Sequence, residues 1–195
     1  MKTLYLLRHA KSSWDIENQP DLERPLNKRG RKNAISIGKY MRFHDLQPQL
    51  ILCSPAQRCR ETVDLIHAHL GTPPILQEPY LYSEGKNEVL QHIMQTKSEI
   101  DHLMVVGHNP TTADLALMLT NGANPVLREE MMAKYPTGTL AVIKYDCPHW
   151  DELQPYEGYL QRLIKPRLLP WCSFTPALRS YLNIIKYKQA DLEDW

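Results

Sequence analysis

Three short apolar runs organise the first part of this sequence, and each run ends at polar residues that precede a helical pattern. The runs cover residues 4–7, 49–54 and 102–107. Short apolar runs bounded by loop residues are typical of buried strands, and strands that alternate with amphipathic helices predict a parallel sheet. We therefore expect an α/β fold of three layers, α/β/α, with a mostly parallel central sheet.

Polar side chains suited to phosphate follow each of these strands. Arg8 and His9 come directly after the first run, Arg58 follows the second, and His108 follows the third. In open α/β sheets ligands bind beyond the carboxyl ends of the strands, so the fold is expected to bring these side chains to one edge. A single Arg-His pair after a strand is usually a surface feature, but three such strands predict a site.

Two helix starts support this arrangement. Asn27 is a suitable N-cap for a helix with one apolar face, and Ser54 followed by Pro55 predicts a second start with Ser54 as the N-cap. The second start places Arg58 in the first turn of its helix, where free backbone N–H groups favour anions. A further helix is expected over residues 84–94.

The rest of the chain predicts an antiparallel pair of strands and a C-terminal extension. Residues 138–145 and 158–164 have strand patterns. Because the segment between them is short for a helical crossover, we expect them to pair antiparallel at the sheet edge. We expect residues 1–170 to form one domain, and residues 171–195 to form a mainly helical extension that packs on it.

The composition argues against several classes of partner and cofactor. The formal net charge is +1, so we expect neither nucleic acid nor an anionic membrane as a partner. No apolar run could span a bilayer, and the residues before Arg8 are too few for a secretory signal. The four cysteines form no CxxC pair, which indicates a reduced, cytoplasmic protein. The sequence has no Walker loop and no cluster of carboxylates and histidines with metal-ligand spacing, so we expect no metal and no cofactor.

Two guanidiniums and two imidazoles around one pocket suit phosphoryl transfer. Arginine presents a planar fork that fits phosphate oxygens, so Arg8 and Arg58 predict a phosphate clamp. One histidine can attack phosphorus while the other hydrogen-bonds the transferring group. A positive charge about 4 Å away at an effective dielectric of about 20 contributes about 4 kcal/mol, which opposes protonation of the nucleophile by about three pH units. The nucleophile is therefore expected to be a neutral imidazole.

Three ordered motifs in this chain resemble those of the histidine phosphatase superfamily. They are Leu-Arg-His-Ala-Lys-Ser-Ser-Trp at residues 7–14, Ser-Pro-Ala-Gln-Arg at residues 54–58 and Val-Gly-His-Asn-Pro at residues 106–110. Within this superfamily the chain resembles the compact SixA-type branch of phosphohistidine phosphatases.

Two further segments carry the resemblance to that branch. One is Arg-Pro-Leu-Asn at residues 24–27 with Arg29-Gly30 behind it, and the other is Tyr-Pro-Thr-Gly at residues 135–138. The resemblance covers about residues 3–170 and implies the compact form of the phosphoglycerate mutase-like fold.

The resemblance also implies roles for the site residues. His9 corresponds to the phosphorylated nucleophile, and Arg8, Arg58 and His108 correspond to residues around the phosphate. The family motif also implies that Ser12 contacts the phosphate, although a loop-capping role for Ser12 fits the sequence equally well. The histidines outside the motifs carry no predicted role.

The general acid is the point at which this chain departs from the broader family. That family places a glutamate a few residues after a leucine, and here the expected position falls on Ser83 with Glu84 next to it. Either Glu84 serves as the acid or the acid is absent. Because an alkoxide needs protonation whereas the imidazole of phosphohistidine departs readily, a weak acid favours an N–P substrate. A second departure is Ala10, because larger members of the superfamily carry Gly directly after the Arg-His pair.

The sequence thus predicts a metal-independent phosphatase that acts through a phosphohistidine intermediate, most simply on phosphohistidine in a protein. One alternative is a phosphatase of small phosphate esters, and another, of a different class, is a non-catalytic phosphate-binding or phosphoprotein-docking module. A mutase fits less well because its long insertions are missing. The expected partner is a phosphorylated protein or a small phosphorylated substrate, and the sequence does not determine the oligomeric state.

Overall fold

Six strands form one mixed sheet in the computed structural model of this chain, which describes residues 1–169. In chain order the strands are β1 (Lys2–Arg8), β2 (Leu50–Cys53), β3 (Ile75–Gln77), β4 (His102–Gly107), β5 (Leu140–Tyr145) and β6 (Tyr159–Ile164). Within the described part of the chain the helices are α1 (Lys28–Phe43), α2 (Gln57–His67), α3 (Tyr80–Ser83), α4 (Lys86–Met94), α5 (Thr111–Leu119) and α6 (Pro125–Ala133). The order of strands across the sheet is β3-β2-β4-β1-β5-β6.

The strand directions confirm the predicted parallel core and antiparallel edge. β1 pairs parallel with β4, β4 with β2, and β2 with β3. β5 runs antiparallel to β1, and β6 runs antiparallel to β5. The parallel strands need long crossovers, which the helices supply. As a result β1, β2 and β4 all end at the same edge of the sheet, which we call the carboxyl edge.

The residues of β1 alternate between two cores. Tyr5 and Leu7 lie in the core that α1 and α2 cover, whereas Leu4 and Leu6 lie in the core that α4 and α5 cover. This alternation follows from the period of two along a pleated strand. Because the sheet is packed on both faces, its central strands are continuously apolar rather than amphipathic. The predicted three-layer α/β/α architecture is confirmed.

One predicted helix cap is present and the other is not. The side chain of Asn27 accepts a hydrogen bond from the Gly30 N–H at 2.8 Å and caps α1 as predicted. The prediction that Ser54 caps the next helix is wrong, because α2 begins at Gln57 without a side-chain cap. The Ser54 hydroxyl instead lies 2.8 Å from Nε2 of His108, a tertiary contact that the local sequence does not reveal.

The segment between β3 and β4 also differs from its prediction. The helix expected over residues 84–94 begins only at Lys86, because Glu84 and Gly85 have extended backbone. The predicted extension at residues 171–195 lies outside the described residues. None of the helices within residues 1–169 is long and apolar enough to cross a membrane.

Candidate active site

The backbone where β1 ends is held by its neighbours on both sides. The N–H of His9 donates to the Gly107 carbonyl at the end of β4 at 3.0 Å. The N–H of Gly138 donates to the carbonyl oxygens of both Arg8 and His9, at 3.1 and 3.0 Å. Gly138 has a φ of +79°, a left-handed conformation that glycine adopts without strain. These bonds fix the directions in which the Arg8 and His9 side chains leave the carboxyl edge.

His9 is a buried imidazole, and within residues 1–169 only one of its ring nitrogens has a hydrogen-bond partner. The residue is 8% exposed, and its Nδ1 donates to the Ala10 carbonyl oxygen at 2.7 Å. A neutral ring with its proton on Nδ1 carries the lone pair on Nε2. Burial, together with the positive charges of Arg58 and Arg8, lowers the pKa of His9 to about 3. At neutral pH Nε2 is therefore an unprotonated potential nucleophile.

His108 lies beside His9, with the two ring centroids 5.1 Å apart. Its Nδ1 accepts a hydrogen bond from Nη2 of Arg58 at 3.1 Å, so Nε2 carries the proton and donates to the Ser54 hydroxyl at 2.8 Å. Burial and the charge of Arg58 lower the pKa of His108 to about 4. The second imidazole is thus also neutral, and both of its nitrogens have protein partners.

Arg8 has one donor without a partner among the described residues. Its Nη1 donates to the Tyr135 carbonyl oxygen at 2.8 Å. Its Nε is buried and has no hydrogen-bond partner within residues 1–169. A buried charged donor without a partner is costly unless a ligand satisfies it. The guanidinium of Arg8 therefore keeps hydrogen-bonding capacity that the described residues do not use, and its charge acts on His9.

Arg58 is held by a carboxylate that the sequence analysis did not single out. Its Nη1 donates to the main-chain carbonyl of Asp21 at 2.6 Å, and its Nη2 donates to Oδ2 of the same residue at 2.8 Å. Arg58 is also buried. Part of the guanidinium that the sequence assigns to phosphate is therefore engaged by Asp21 in this structure.

Asp21 joins Arg58 to a second arginine and a tyrosine. Its Oδ1 accepts from Nη1 of Arg24 at 2.8 Å, and its Oδ2 accepts from the Tyr82 hydroxyl at 3.0 Å. Burial acts to raise the pKa of Asp21, but hydrogen bonds from Arg24, Tyr82 and Arg58 outweigh it and lower the pKa to about 2. The carboxylate is therefore ionised at neutral pH, and we call Asp21 with these three partners the Asp21 network.

The sequence contains only a local signal for this network. Asp21 and Arg24 are three residues apart on one short 3-10 turn, a spacing that permits an ion pair. The contact between Asp21 and Arg58 spans 37 residues, and nothing in the local sequence predicts it. Tyr82 was missed for the same reason, although its ring also contacts His108 edge-on at a centroid distance of 5.5 Å.

Ser12 contacts the Asp21 network through Arg24. Its buried hydroxyl oxygen accepts from Nη2 of Arg24 at 2.9 Å. The Arg24 guanidinium in turn lies 3.1 Å from the centroid of the exposed Trp14 ring. The Ser12 hydroxyl donates to no acceptor in the part of the chain that the structure describes, so both a loop-capping role and a phosphate contact are compatible with its position.

The side chain of Glu84, the candidate acid, pairs with a histidine outside the His9 cluster. Its Oε2 lies 3.2 Å from Nε2 of His92 on α4. No hydrogen bond within residues 1–169 connects this carboxylate to His9, Arg58 or His108. The structure therefore brings four of the predicted site residues together and leaves Glu84 paired with a different histidine.

Cys59 is next to Arg58 and lies 3.5 Å from Nε2 of His108. Burial raises the pKa of its thiol to about 12, so the thiol stays protonated and is a poor nucleophile at neutral pH. Within the described residues, no three or more His, Cys, Asp or Glu side chains are arranged to hold a metal ion.

The buried histidines predict a specific dependence of stability on pH. The pKa of His9 in the folded chain is about 3, below its ordinary value of 6.5. Between these values the unfolded chain binds more protons, so the free energy of unfolding falls as the pH is lowered, by about 2 kcal/mol for this group at pH 5 relative to pH 7. Urea unfolding of the wild type and His9→Asn at both pH values checks this. An equal pH-dependent loss in the two proteins would contradict it.

Comparison with known proteins agrees with this geometry. The model of branch 1 of the histidine phosphatase superfamily matches residues 4–81. An uncharacterized protein from Mycobacterium tuberculosis is 33% identical over 151 residues, which cover 76% of this chain and 92% of the relative.

Two solved structures are similar over most of the described residues. A candidate phosphohistidine phosphatase SixA from Nakamurella multipartitia superposes with a TM-score of 0.74 and 25% identity, covering 85% of this chain and 96% of that one. A candidate phosphohistidine phosphatase SixA from Agrobacterium tumefaciens has a TM-score of 0.71 and 28% identity, with coverages of 85% and 98%. These findings confirm the resemblance inferred from the motifs. The chain belongs to the histidine phosphatase superfamily and, within it, to the SixA-type branch.

Proposed function

We propose that this chain is a metal-independent phosphatase that moves the phosphoryl group of a protein phosphohistidine first to His9 and then to water. The observation that carries the proposal is a neutral, buried His9 whose Nε2 has no hydrogen-bond partner within residues 1–169, next to the charged guanidiniums of Arg8 and Arg58. A nucleophile thus lies within electrostatic range of two cationic side chains that can bind phosphate oxygens. The Arg8 and Arg58 charges serve the role that a metal ion has in many phosphoryl transfers.

The reaction has two steps. In the first, the lone pair on Nε2 of His9 forms a bond to phosphorus while the bond from phosphorus to the leaving nitrogen breaks, and the leaving imidazole retains the electron pair. In the second, a water oxygen bonds to phosphorus, the P–Nε2 bond breaks, and the water proton is released to solvent. His9 returns to its neutral form, and Arg8 and Arg58 stabilise charge on the equatorial oxygens in both steps.

The surroundings of the site favour a substrate with an N–P bond over a phosphate ester. Asp21 is the carboxylate bonded directly to Arg58, and because its pKa is about 2 it is ionised and cannot donate a proton at neutral pH. Glu84 is paired with His92. An alkoxide leaving group needs a proton donor, whereas an imidazole that is already protonated on its other nitrogen departs without one. The names of the two SixA relatives point to the same substrate class.

The proposal is tested by phosphate release from a phosphohistidine protein in EDTA, with p-nitrophenyl phosphate measured in parallel. We expect full activity in the chelator and a higher kcat/KM for the phosphohistidine protein than for the ester. Loss of activity in EDTA that returns with added metal would contradict metal independence. A higher kcat/KM for the ester would indicate a small-ester phosphatase, and phosphate binding without turnover of either substrate would indicate a docking module.

A further inference from the structure

A cavity with a basic lining lies near the carboxyl edge of the sheet. It has a volume of about 360 Å³. Three cationic side chains line it, and they come from three separate parts of the chain. They are Arg29 in the first turn of α1, Lys134 just after α6, and Arg167 in the 3-10 turn that follows β6. We call this space the basic cavity.

The basic cavity lies between the two additional segments whose sequences resemble the SixA-type branch. Arg29 belongs to the Arg29-Gly30 segment, and Pro136 and Thr137 of the Tyr-Pro-Thr-Gly segment form another wall. The reaction proposed above assigns no role to these side chains. Gly30 has a packing role, because a Cβ at this position would overlap the Lys11 carbonyl oxygen. Its neighbour Arg29 is exposed and has no comparable packing role.

The basic cavity lies at the same edge of the sheet as His9. Thr137 directly precedes Gly138, whose N–H donates to the carbonyl oxygens of Arg8 and His9. β6 runs parallel to β1, so the turn that carries Arg167 also starts at the carboxyl edge. The cavity is therefore on the β5–β6 side of His9, whereas the Asp21 network contacts α2 on the opposite side.

The three cations of the basic cavity are not neutralised by the described part of the chain. Within residues 1–169 neither Arg29, Lys134 nor Arg167 forms an ion pair. No carboxylate is among the residues that line the cavity. Three like charges around one space create a positive potential that an anionic ligand relieves.

We propose that the basic cavity is a docking site for carboxylate side chains on the surface of the phosphorylated protein substrate. This inference rests on the proposed function, since it assumes that the phosphohistidine is carried by a protein. The cavity would hold acidic residues near the phosphohistidine while its phosphoryl group reaches Nε2 of His9. Both arginines offer the planar fork that binds a carboxylate through two parallel hydrogen bonds.

The exposure of the cations favours acidic side chains of a protein over a free small anion. Arg29, Lys134 and Arg167 are all exposed. None of these three cations is therefore a buried donor that could bind a single dehydrated ion. Exposed charges at the rim of an interface act mainly through complementary potential, which speeds association and gives it a strong salt dependence. Several carboxylates on a macromolecule suit such a site better than one hydrated phosphate.

The direct test is binding of a fluorescein-labelled hexaglutamate peptide, measured by anisotropy at low ionic strength. We expect the double substitution Arg29→Glu with Arg167→Glu to raise the Kd at least about tenfold. Lys39→Glu is the matched control, since it reverses an exposed charge on the same helix about 15 Å further along the axis. Absence of binding to the wild type, or equal weakening by the control, would overturn the proposal. Displacement of the peptide by inorganic phosphate at constant ionic strength would also overturn it, because the peptide would then occupy the His9 site.

A kinetic test relates the cavity to turnover. The ratio of kcat/KM for an acidic phosphohistidine protein to kcat/KM for phosphoramidate is expected to fall about tenfold in the double variant and to stay at the wild-type value in Lys39→Glu. An unchanged ratio in the double variant would contradict docking through this cavity. If the wild type releases no phosphate from phosphohistidine proteins, the proposed function fails, and the peptide experiment still decides whether the cavity binds carboxylates.

Discussion

Replacement of His9 by alanine is expected to reduce phosphate release by at least about 10⁴-fold, because the variant has no atom that can accept the phosphoryl group. Within residues 1–169 Nε2 of His9 is an unprotonated ring nitrogen without a hydrogen-bond partner, whereas both nitrogens of the neighbouring His108 are engaged by Ser54 and Arg58. His108 is therefore poorly placed to substitute for it. Single-turnover release from a phosphohistidine protein measures the loss directly.

A covalent label separates this expectation from a general loss of structure. Acid quenching of the wild type with radiolabelled substrate should trap an acid-labile phosphoryl group on the chain, and His9→Ala should trap none. His149→Ala is the matched control, since it removes an exposed histidine distant in sequence from the cluster. Turnover by His9→Ala within tenfold of the wild type would show that another group is the nucleophile.

Replacement of Arg58 by alanine is expected to lower kcat/KM by about 10²–10³-fold, the usual effect of removing one donor that stabilises transition-state charge. The guanidinium contacts both Asp21 and His108, so its loss also leaves an ionised carboxylate next to the site. That carboxylate would repel the phosphate and increase the loss. Steady-state rates at saturating and limiting substrate distinguish weaker binding from slower chemistry.

Two variants make the Arg58 experiment specific. Arg60→Ala removes an exposed arginine from the same helix and should retain the wild-type rate. Arg58→Lys keeps the charge without the planar fork that contacts Asp21 and His108, and it should recover only part of the lost rate. If Arg58→Ala has the same kcat/KM as Arg60→Ala, Arg58 does not stabilise the transition state, and its role is limited to the structural contact with Asp21.

Local patterns in the sequence determined the framework of this protein. The apolar runs that became β1, β2 and β4 are short and continuous because their strands are buried on both faces. A residue directly after such a strand must leave the sheet at its carboxyl edge. The positions of Arg8, His9 and His108 could therefore be predicted without tertiary information, and the motifs around them identified the superfamily.

The identity of hydrogen-bond partners could not be predicted in the same way. Asp21 lies on a 3-10 turn and Tyr82 on the short helix α3, and they reach Arg58 and His108 only because these two elements meet at the carboxyl edge of the sheet. Ser54 has the local sequence of a helix cap but faces His108 instead. Single turns of helix are too short to show a repeating pattern, and contacts across dozens of residues depend on how the whole chain packs.

The basic cavity shows most clearly the difference between what local sequence predicts and what tertiary packing decides. The sequence contains Arg29, Lys134 and Arg167 in widely separated segments, and no local pattern relates them to one another. They line one cavity because α1 begins, the chain after α6 returns, and β6 ends at the same edge of the sheet. Residue type and local periodicity thus predicted the main strands, most of the longer helices and the polar side chains that follow the strands. Only the tertiary structure decided which charges meet, because electrostatic partners are chosen by distance in space rather than by separation along the chain.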